Sequence, residues 1–304
     1  MESSRLPRFT RSVEIPPLRL TDRDLEIIRL IYRHRFLRSS HILRLVQGSP
    51  QQVLRRLQLL FHHGYLERPR AQLDYFHRAG SEPLVYGLGN KGAGVLRLDV
   101  PENLNWKNQS VGRLFLNHAV LASDIMVALE LACRSRSDVR LLDTGQLPLL
   151  ENRFERDELF RWRVTLERRQ QIGVIPDRTF ALEFTQPKKS PALFFLEADR
   201  GTMPVTRQNT SRTSFQRKLH AYHATWKQDL HKTRFGFHRF RVLTVTTSAE
   251  RMQSMIDACN ELDGGHGLFL FAEAKTLSHS DPFSYPWKSG RNEQVQLLAE
   301  PPQF

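Results

Sequence analysis

The stretch from Ser49 to Gly64 constrains the chain more than any other. Ser49 followed by Pro50 is a strong helix start: the hydroxyl accepts from a free backbone amide, and proline fits the first helical position without losing a hydrogen bond. Gly64 closes the helix. Between them Val53, Leu54, Leu57, Leu60 and Phe61 form an apolar stripe, whereas Gln51, Gln52, Arg55 and Arg56 lie on the other side in the N-terminal half. Such a helix must bury one face against partners, and two more helices stand upstream. Thr21-Asp22-Arg23-Asp24 reads as an N-cap with acids in the positively polarised first turn, followed by Leu25, Ile28, Ile31 and Tyr32 at helical spacing. A second short helix fits Ser40 to Val46, with Gly48 after it. Downstream, Tyr65–Arg68 and Leu84–Leu88 read as strands joined across a polar turn near Ala79-Gly80-Ser81. Three helices and a two-stranded wing predict a winged helix-turn-helix over residues 21–100, preceded by a flexible basic arm over residues 1–20.

Charge narrows what such a unit would meet. The 304-residue chain carries a net +13, and its first 70 residues hold 14 arginines, six acids and no lysine, a net of +8. This excess favours a polyanion, and arginine suits phosphates and guanine edges because its planar fork donates in pairs. The N-terminal half of a third helix is where such folds meet base edges in the major groove. Gln51, Gln52, Arg55 and Arg56, with Arg44 on the second helix, are therefore the candidate DNA-binding residues, and double-stranded DNA is the expected partner. The same fold also serves protein contacts, with or without homodimerisation; arginine on the exposed face favours DNA. Two cysteines, Cys133 and Cys259, are too few for a disulfide framework and suit a reducing, cytoplasmic setting. No uninterrupted apolar run reaches the about 18–20 residues of a membrane span, and the polar start lacks a signal core, so no membrane partner is expected.

Past a Pro-started linker over Pro101–Gln109 the pattern changes. Asn90 is expected to cap a short helix, Lys91–Leu98, before it. Leu116–Cys133 reads as an amphipathic helix, followed by strand-like Val139–Leu142, Arg161–Leu166, Thr179–Phe184 and Leu193–Leu196. A helix over Thr213–Leu230, a strand over Val242–Thr246, a helix over Ala249–Leu262 and a strand over Gly267–Phe271 complete an α/β domain with a mixed sheet over residues 111–275. Residues 276–304 read as a loosely ordered, Pro-rich tail.

Two places in this domain carry acids in a chemically suggestive pattern. Asp177 stands just before one strand, and Glu197 and Asp199 end the next, on one face by the two-residue alternation of a strand. A hairpin across Pro187–Ser190 would bring Asp177 toward Glu197. Converging carboxylates hold a hard cation such as Mg²⁺, which polarises a phosphate and activates water. Asp177, Glu197 and Asp199 are thus the candidate metal ligands, and Asp177, Glu197 and Lys218 the candidate catalytic set. Lys218 lies on the following helix, one turn before Tyr222. Solvated or salt-bridged carboxylates and a phosphate-contacting or surface lysine are the plainer alternatives. His220 and His223 have a zinc-compatible spacing but no second ligand pair nearby, and His118 reads as a core histidine.

Pro176-Asp177, then Glu197-Ala198-Asp199-Arg200-Gly201-Thr202, then Lys218-Leu219-His220-Ala221-Tyr222 together resemble the replication-relaxation family of mobile genetic elements. The Thr21-Asp22-Arg23-Asp24-Leu25-Glu26-Ile27-Ile28 helix and Lys91-Gly92-Ala93 fit the same resemblance, which spans about residues 20 to 275. It implies a winged helix joined to a fold similar to PD-(D/E)XK nucleases, with links to plasmid replication or transfer proteins. The sequence departs from that pattern at Asp199, where such a site calls for lysine; either Lys218 replaces it from the helix, or the domain has kept the fold and lost cleavage. Two functions follow as alternatives. One is a Mg²⁺-dependent DNA endonuclease; the other is a non-enzymatic transcriptional regulator or relaxosome or replication accessory with a degenerate nuclease fold.

Overall fold

The computed structural model describes residues 6–73, 82–98, 104–148, 159–166, 170–185, 190–206 and 214–298. The turn at Ala79–Ser81 and the turn at Pro187–Ser190, except Ser190 itself, lie outside them. The chain forms two compact units, Met1–Val127 and Ala128–Phe304. The division therefore falls inside a helix rather than in the linker expected before residue 111.

In the first unit, helices α1 (Asp22–His34), α2 (Ser39–Leu45) and α3 (Pro50–His62) accompany strands β1 (Phe36–Arg38), β2 (Leu66–Glu67) and β3 (Val85–Leu88). The strands form an antiparallel sheet in the order β1-β3-β2. Thr21 caps α1 in a reciprocal box with Asp24, and the Ser49 hydroxyl accepts from the Gln52 amide at the start of α3. Ile27, Ile28, Ile31, Val53, Leu57, Leu60 and Phe61 are buried. Leu54, placed by its spacing with the apolar stripe, is turned outward and 43% exposed.

Helix α4 (Asn90–Val95) begins after Gly89, not after Asn90. Asn90 instead exchanges hydrogen bonds with Asn105, Asn90 N to Asn105 Oδ1 at 2.7 Å and Asn105 N to Asn90 Oδ1 at 2.9 Å. The expected linker therefore contains a helix, α5 (Leu104–Gln109). Gly92 is required here: a Cβ would sit 2.3 Å from the Tyr65 carbonyl oxygen, so α4 can approach β2 only with glycine.

The N-terminal arm is bound along its described part, contrary to the flexible reading. Arg11 reaches the buried Glu67 carboxylate at 2.7 Å and the Phe61 carbonyl at 3.1 Å, and the Ser12 amide donates to His62 Nδ1 at 3.1 Å. Arg68 donates to the Arg8 carbonyl at 2.6 Å and lies over the rings of Phe61 and Tyr86. Apolar alternation cannot register such a strap, because its contacts are made by arginines.

Helix α6 (Arg113–Arg134) is, by length and composition, apolar enough to cross a membrane, although polar residues interrupt its apolar run. More than half of its apolar stretch is buried in the protein, with Leu116, Ala119 and Val120 packed against Phe36 and Val85.

The second unit is a mixed sheet of seven strands. They are β4 (Val139–Asp143), β7 (Arg178–Phe184), β8 (Ala192–Ala198), β9 (Phe240–Thr246), β10 (Phe269–Glu273), β11 (Trp287–Ser289) and β12 (Gln294–Val295). Their order is β12-β11-β10-β9-β8-β7-β4, with β8, β9 and β10 parallel and the outer pairings antiparallel. Parallel neighbours need crossovers, supplied by α7 (Phe215–Lys227) with α8 (Leu230–Thr233), and by α9 (Ala249–Asn260). A separate hairpin, β5 (Trp162–Thr165) with β6 (Gln171–Val174), adds Trp162, Val164, Ile172 and Val174 to the core formed by Phe195, Val242, Leu219 and Ile256. A last short helix, α10 (Ala274–Leu277), follows β10.

The segment read as a loose tail carries β11 and β12 instead. Trp287 is wholly buried and donates from its ring nitrogen to the Pro282 carbonyl at 2.9 Å. At Gly290 a Cβ would meet Cys259 Sγ at 2.6 Å, so the chain after β11 lies directly on α9. Prolines suggested disorder there; one anchored tryptophan and one glycine contact outweigh them.

Candidate functional site

The strand pairing expected from the sequence forms: β7 and β8 pair antiparallel with Arg178 opposite Leu196. Asp177 thus stands beside the end of β8. Its amide donates to the Leu196 carbonyl at 3.0 Å, and its Oδ2 accepts from the Ala198 amide at 2.7 Å. On β8, Leu193 and Phe195 face the helix-covered core, and alternation carries Glu197 to the same side. There it is buried, 3% exposed.

Helix α7, capped by the Ser214 hydroxyl, supplies both donors to Glu197. Lys218 Nζ lies 2.5 Å from Oε2, and the Tyr222 hydroxyl donates to Oε1 at 2.6 Å. The two residues are four apart and so share a helix face. The Tyr222 ring stacks on Phe195 with centroids 5.7 Å apart, which fixes its hydroxyl.

Burial pushes the Glu197 carboxyl above its ordinary value; Lys218 opposes the shift and the nearby charge of Asp177 reinforces it. Burial disfavours the Lys218 ammonium, but Glu197 and Asp177 outweigh it, so that group is raised and stays charged. The Tyr222 phenol is raised well above its usual value by burial and by Glu197, which leaves it a hydrogen-bond donor rather than a nucleophile.

Asp199 has a different role from the one its spacing suggested. Arg251 on α9 grips it with two bonds, Nε to Oδ2 at 2.5 Å and Nη2 to Oδ1 at 2.8 Å. The Thr246 hydroxyl and the Gly201 amide also donate to Oδ2, at 2.7 and 3.1 Å. Burial would raise this carboxyl, but the Arg251 and Thr246 bonds hold it below the usual range. With both oxygens so engaged, Asp199 clamps the end of β8 to α9.

A small hard cation such as Mg²⁺ needs only one or two carboxylates beside water and phosphate oxygens. Asp177 and Glu197 match that donor set in type and number, and in the metal-free protein Asp199 is bonded to Arg251 and Thr246. Among the described residues no group of three His, Cys, Asp or Glu side chains is arranged to hold a metal, and His220 and His223 belong to none.

The other candidate residues stand in the first unit. Gln51, Gln52 and Arg55 are exposed on α3, and Arg44 is exposed on α2. Arg56 is not part of that free set. Its Nε donates to Asp24 Oδ1 at 2.8 Å, Nη2 bonds to Asp24 Oδ2, and Nη2 also reaches the Arg19 carbonyl at 2.9 Å. Asp24 was legible as a helix cap, but nothing local in the sequence pairs it with an arginine 32 residues away. Arg251 gave no signal for the same reason, whereas Tyr222 was readable from its distance to Lys218.

The chain is thus an α/β protein with a mixed sheet in which two acids at neighbouring strands meet a lysine and a tyrosine of one helix at one strand end. It belongs to the replication-relaxation family, whose model matches residues 28–239 and so spans α3, Asp177, Glu197, Lys218 and Tyr222. That membership associates it with replication of mobile genetic elements. No curated protein and no solved structure matches the chain.

Proposed function

We propose that the protein binds double-stranded DNA of a mobile element through a winged helix in its first unit. We propose too that its second unit is a PD-(D/E)XK-like domain that cleaves DNA with Mg²⁺. The docking reading is supported by the exposed row Gln51, Gln52 and Arg55 on the N-terminal half of α3, with exposed Arg44 on α2, in an arginine-rich unit. Glutamine suits adenine and arginine suits guanine. The cleavage reading is carried by the convergence of Asp177, just before β7, with Glu197 of β8 and Lys218 of α7.

In this reading Asp177 and Glu197 hold the cation, which supplies phosphate polarisation and a more acidic water. Tyr222 fixes the rotamer of Glu197 through Oε1. Lys218, charged and half-buried, neutralises Glu197 in the free protein and is the group positioned to meet a phosphate oxygen. Asp199 and Arg251 keep the end of β8 in place without touching the reacting atoms.

Incubation of the protein with supercoiled plasmid and Mg²⁺ or Mn²⁺ tests cleavage. The expected result is nicking by wild type, lost by at least about 100-fold in Asp177→Ala and Lys218→Ala, as for removal of a group acting on the transition state. Absence of nicking with either metal, or equal nicking by Asp177→Ala, overturns it. Docking is tested separately by gel shift, where Gln51→Ala with Arg55→Ala should weaken duplex binding about 10-fold or more.

One observation favours a second reading. Glu197 is 3% exposed and both its oxygens already have donors, an arrangement that also suits a structural ion pair. In that case the protein is a DNA-binding regulator or replication or transfer accessory of the same family, and it binds duplex without nicking it.

A further inference from the structure

The exposed face of α3 contains one residue that its sequence pattern had assigned to the core. Leu54 is 43% exposed, while Leu57, Leu59 and Leu60 on the same helix are buried. Gln51, Leu54 and Arg55 stand at positions i, i+3 and i+4, so the leucine shares a face with two of the proposed readers. A single exposed leucine is ordinary on a protein surface. Its position is what matters: it lies within the polar row that the docking reading places in the major groove. The base edges there offer hydrogen-bonding groups and one apolar feature, the C5-methyl of thymine. Glutamine and arginine can satisfy the former, and only an apolar side chain suits the latter.

Resting on the docking reading above, we propose that Leu54 is a specificity-determining residue that selects thymine, through its 5-methyl group, at a base pair adjoining those met by Gln51 and Arg55. Arginine content explains why the partner would be a nucleic acid; Leu54 explains why its floor would have to carry a methyl. Arg56 does not compete for this position, because Asp24 holds it on the other flank of the helix.

The experiment uses the full chain and a duplex that it enriches from a randomised pool. Each thymine of the enriched duplex is replaced in turn by deoxyuridine, which removes only the methyl. Wild type should lose about four-fold in affinity at one or two thymines, the loss expected for one buried methyl. Leu54→Ala should bind the parent duplex more weakly by a similar factor and be indifferent to deoxyuridine at those positions. Its melting temperature should stay within about 1 °C of wild type, since an exposed side chain contributes little to stability. Wild-type binding unaffected by every deoxyuridine overturns the role of Leu54 and leaves docking intact. So does a Leu54→Ala protein with undiminished sensitivity. Failure to enrich any duplex overturns the docking reading itself, and this inference with it.

Discussion

Arg56 on α3 grips both carboxylate oxygens of Asp24 in the first turn of α1, and Asp24 is wholly buried. The same carboxylate accepts from the Thr21 amide and hydroxyl, each at 2.7 Å. One acid therefore caps α1 and anchors α3. Burial would raise the Asp24 carboxyl, but the bonds from Arg56 and Thr21 prevail and hold it low.

Removing the arginine leaves that charge buried without its partner. Arg56→Ala should destabilise the first unit by about 3 kcal/mol, read as a shifted urea midpoint. A carboxyl held low adds stability that is present above its unfolded value of 3.8 and disappears as pH falls through the folded one. Acid titration of wild type should show this loss below about pH 4, and Asp24→Asn, less stable at neutral pH, should show a flatter acid limb.

Glu197 has the opposite sign. Its raised carboxyl means that ionisation costs more in the folded chain than in the unfolded one. Its contribution should fall as pH rises from the ordinary value of 4.5 through the folded one. Glu197→Gln should remove this decline, so that the difference in melting temperature between variant and wild type moves in the variant's favour from pH 4 to pH 8. A constant difference over that range would contradict the assignment.

The clamp at Asp199 makes a prediction that separates it from Asp177. Asp199→Asn should weaken the paired bonds to Arg251 and lower stability by about 2 kcal/mol, as for charged hydrogen bonds. On the cleavage reading proposed above, Mn²⁺ affinity should be nearly unchanged in that variant and reduced in Asp177→Asn. Loss of Mn²⁺ binding in Asp199→Asn would place Asp199 in the ligand set.

Both thiols are buried, and burial pushes Cys133 and Cys259 up to about 12. Native protein at pH 8 should resist alkylation, and denatured protein should take up two labels. Rapid labelling of native protein would show that α6 or α9 opens readily.

What could be read in the sequence follows from the range of the physics involved. Helix starts at Thr21 and Ser49 are local, made by a side chain and an amide three residues apart; on α1 periodicity marked Ile28 and Ile31 as buried, whereas Tyr32, read on the same stripe, is 52% exposed. The pair Asp177 and Glu197 was legible because a hairpin is also nearly local. Pairings set by tertiary contact were not: Asp24 with Arg56, Asp199 with Arg251, and Glu67 with Arg11 each join distant positions through charge. Leu54 shows the limit of spacing on the apolar side. A stripe defined by 3.6-residue periodicity has edges, and a leucine at the edge can face either way.

The arm tied down by Arg11 has a consequence for how strongly salt should act. DNA binding releases condensed counterions in proportion to the phosphates neutralised, with a slope near 0.9 per contact for duplex. The 14 arginines of the first 70 residues overstate that number, because Arg11, Arg38, Arg56 and Arg68 are engaged with Glu67, Asp124, Asp24 and Tyr86. A logarithmic plot of affinity against salt should therefore be shallower than the formal charge implies. Part of the apparent electrostatic attraction of this chain is internal mortar.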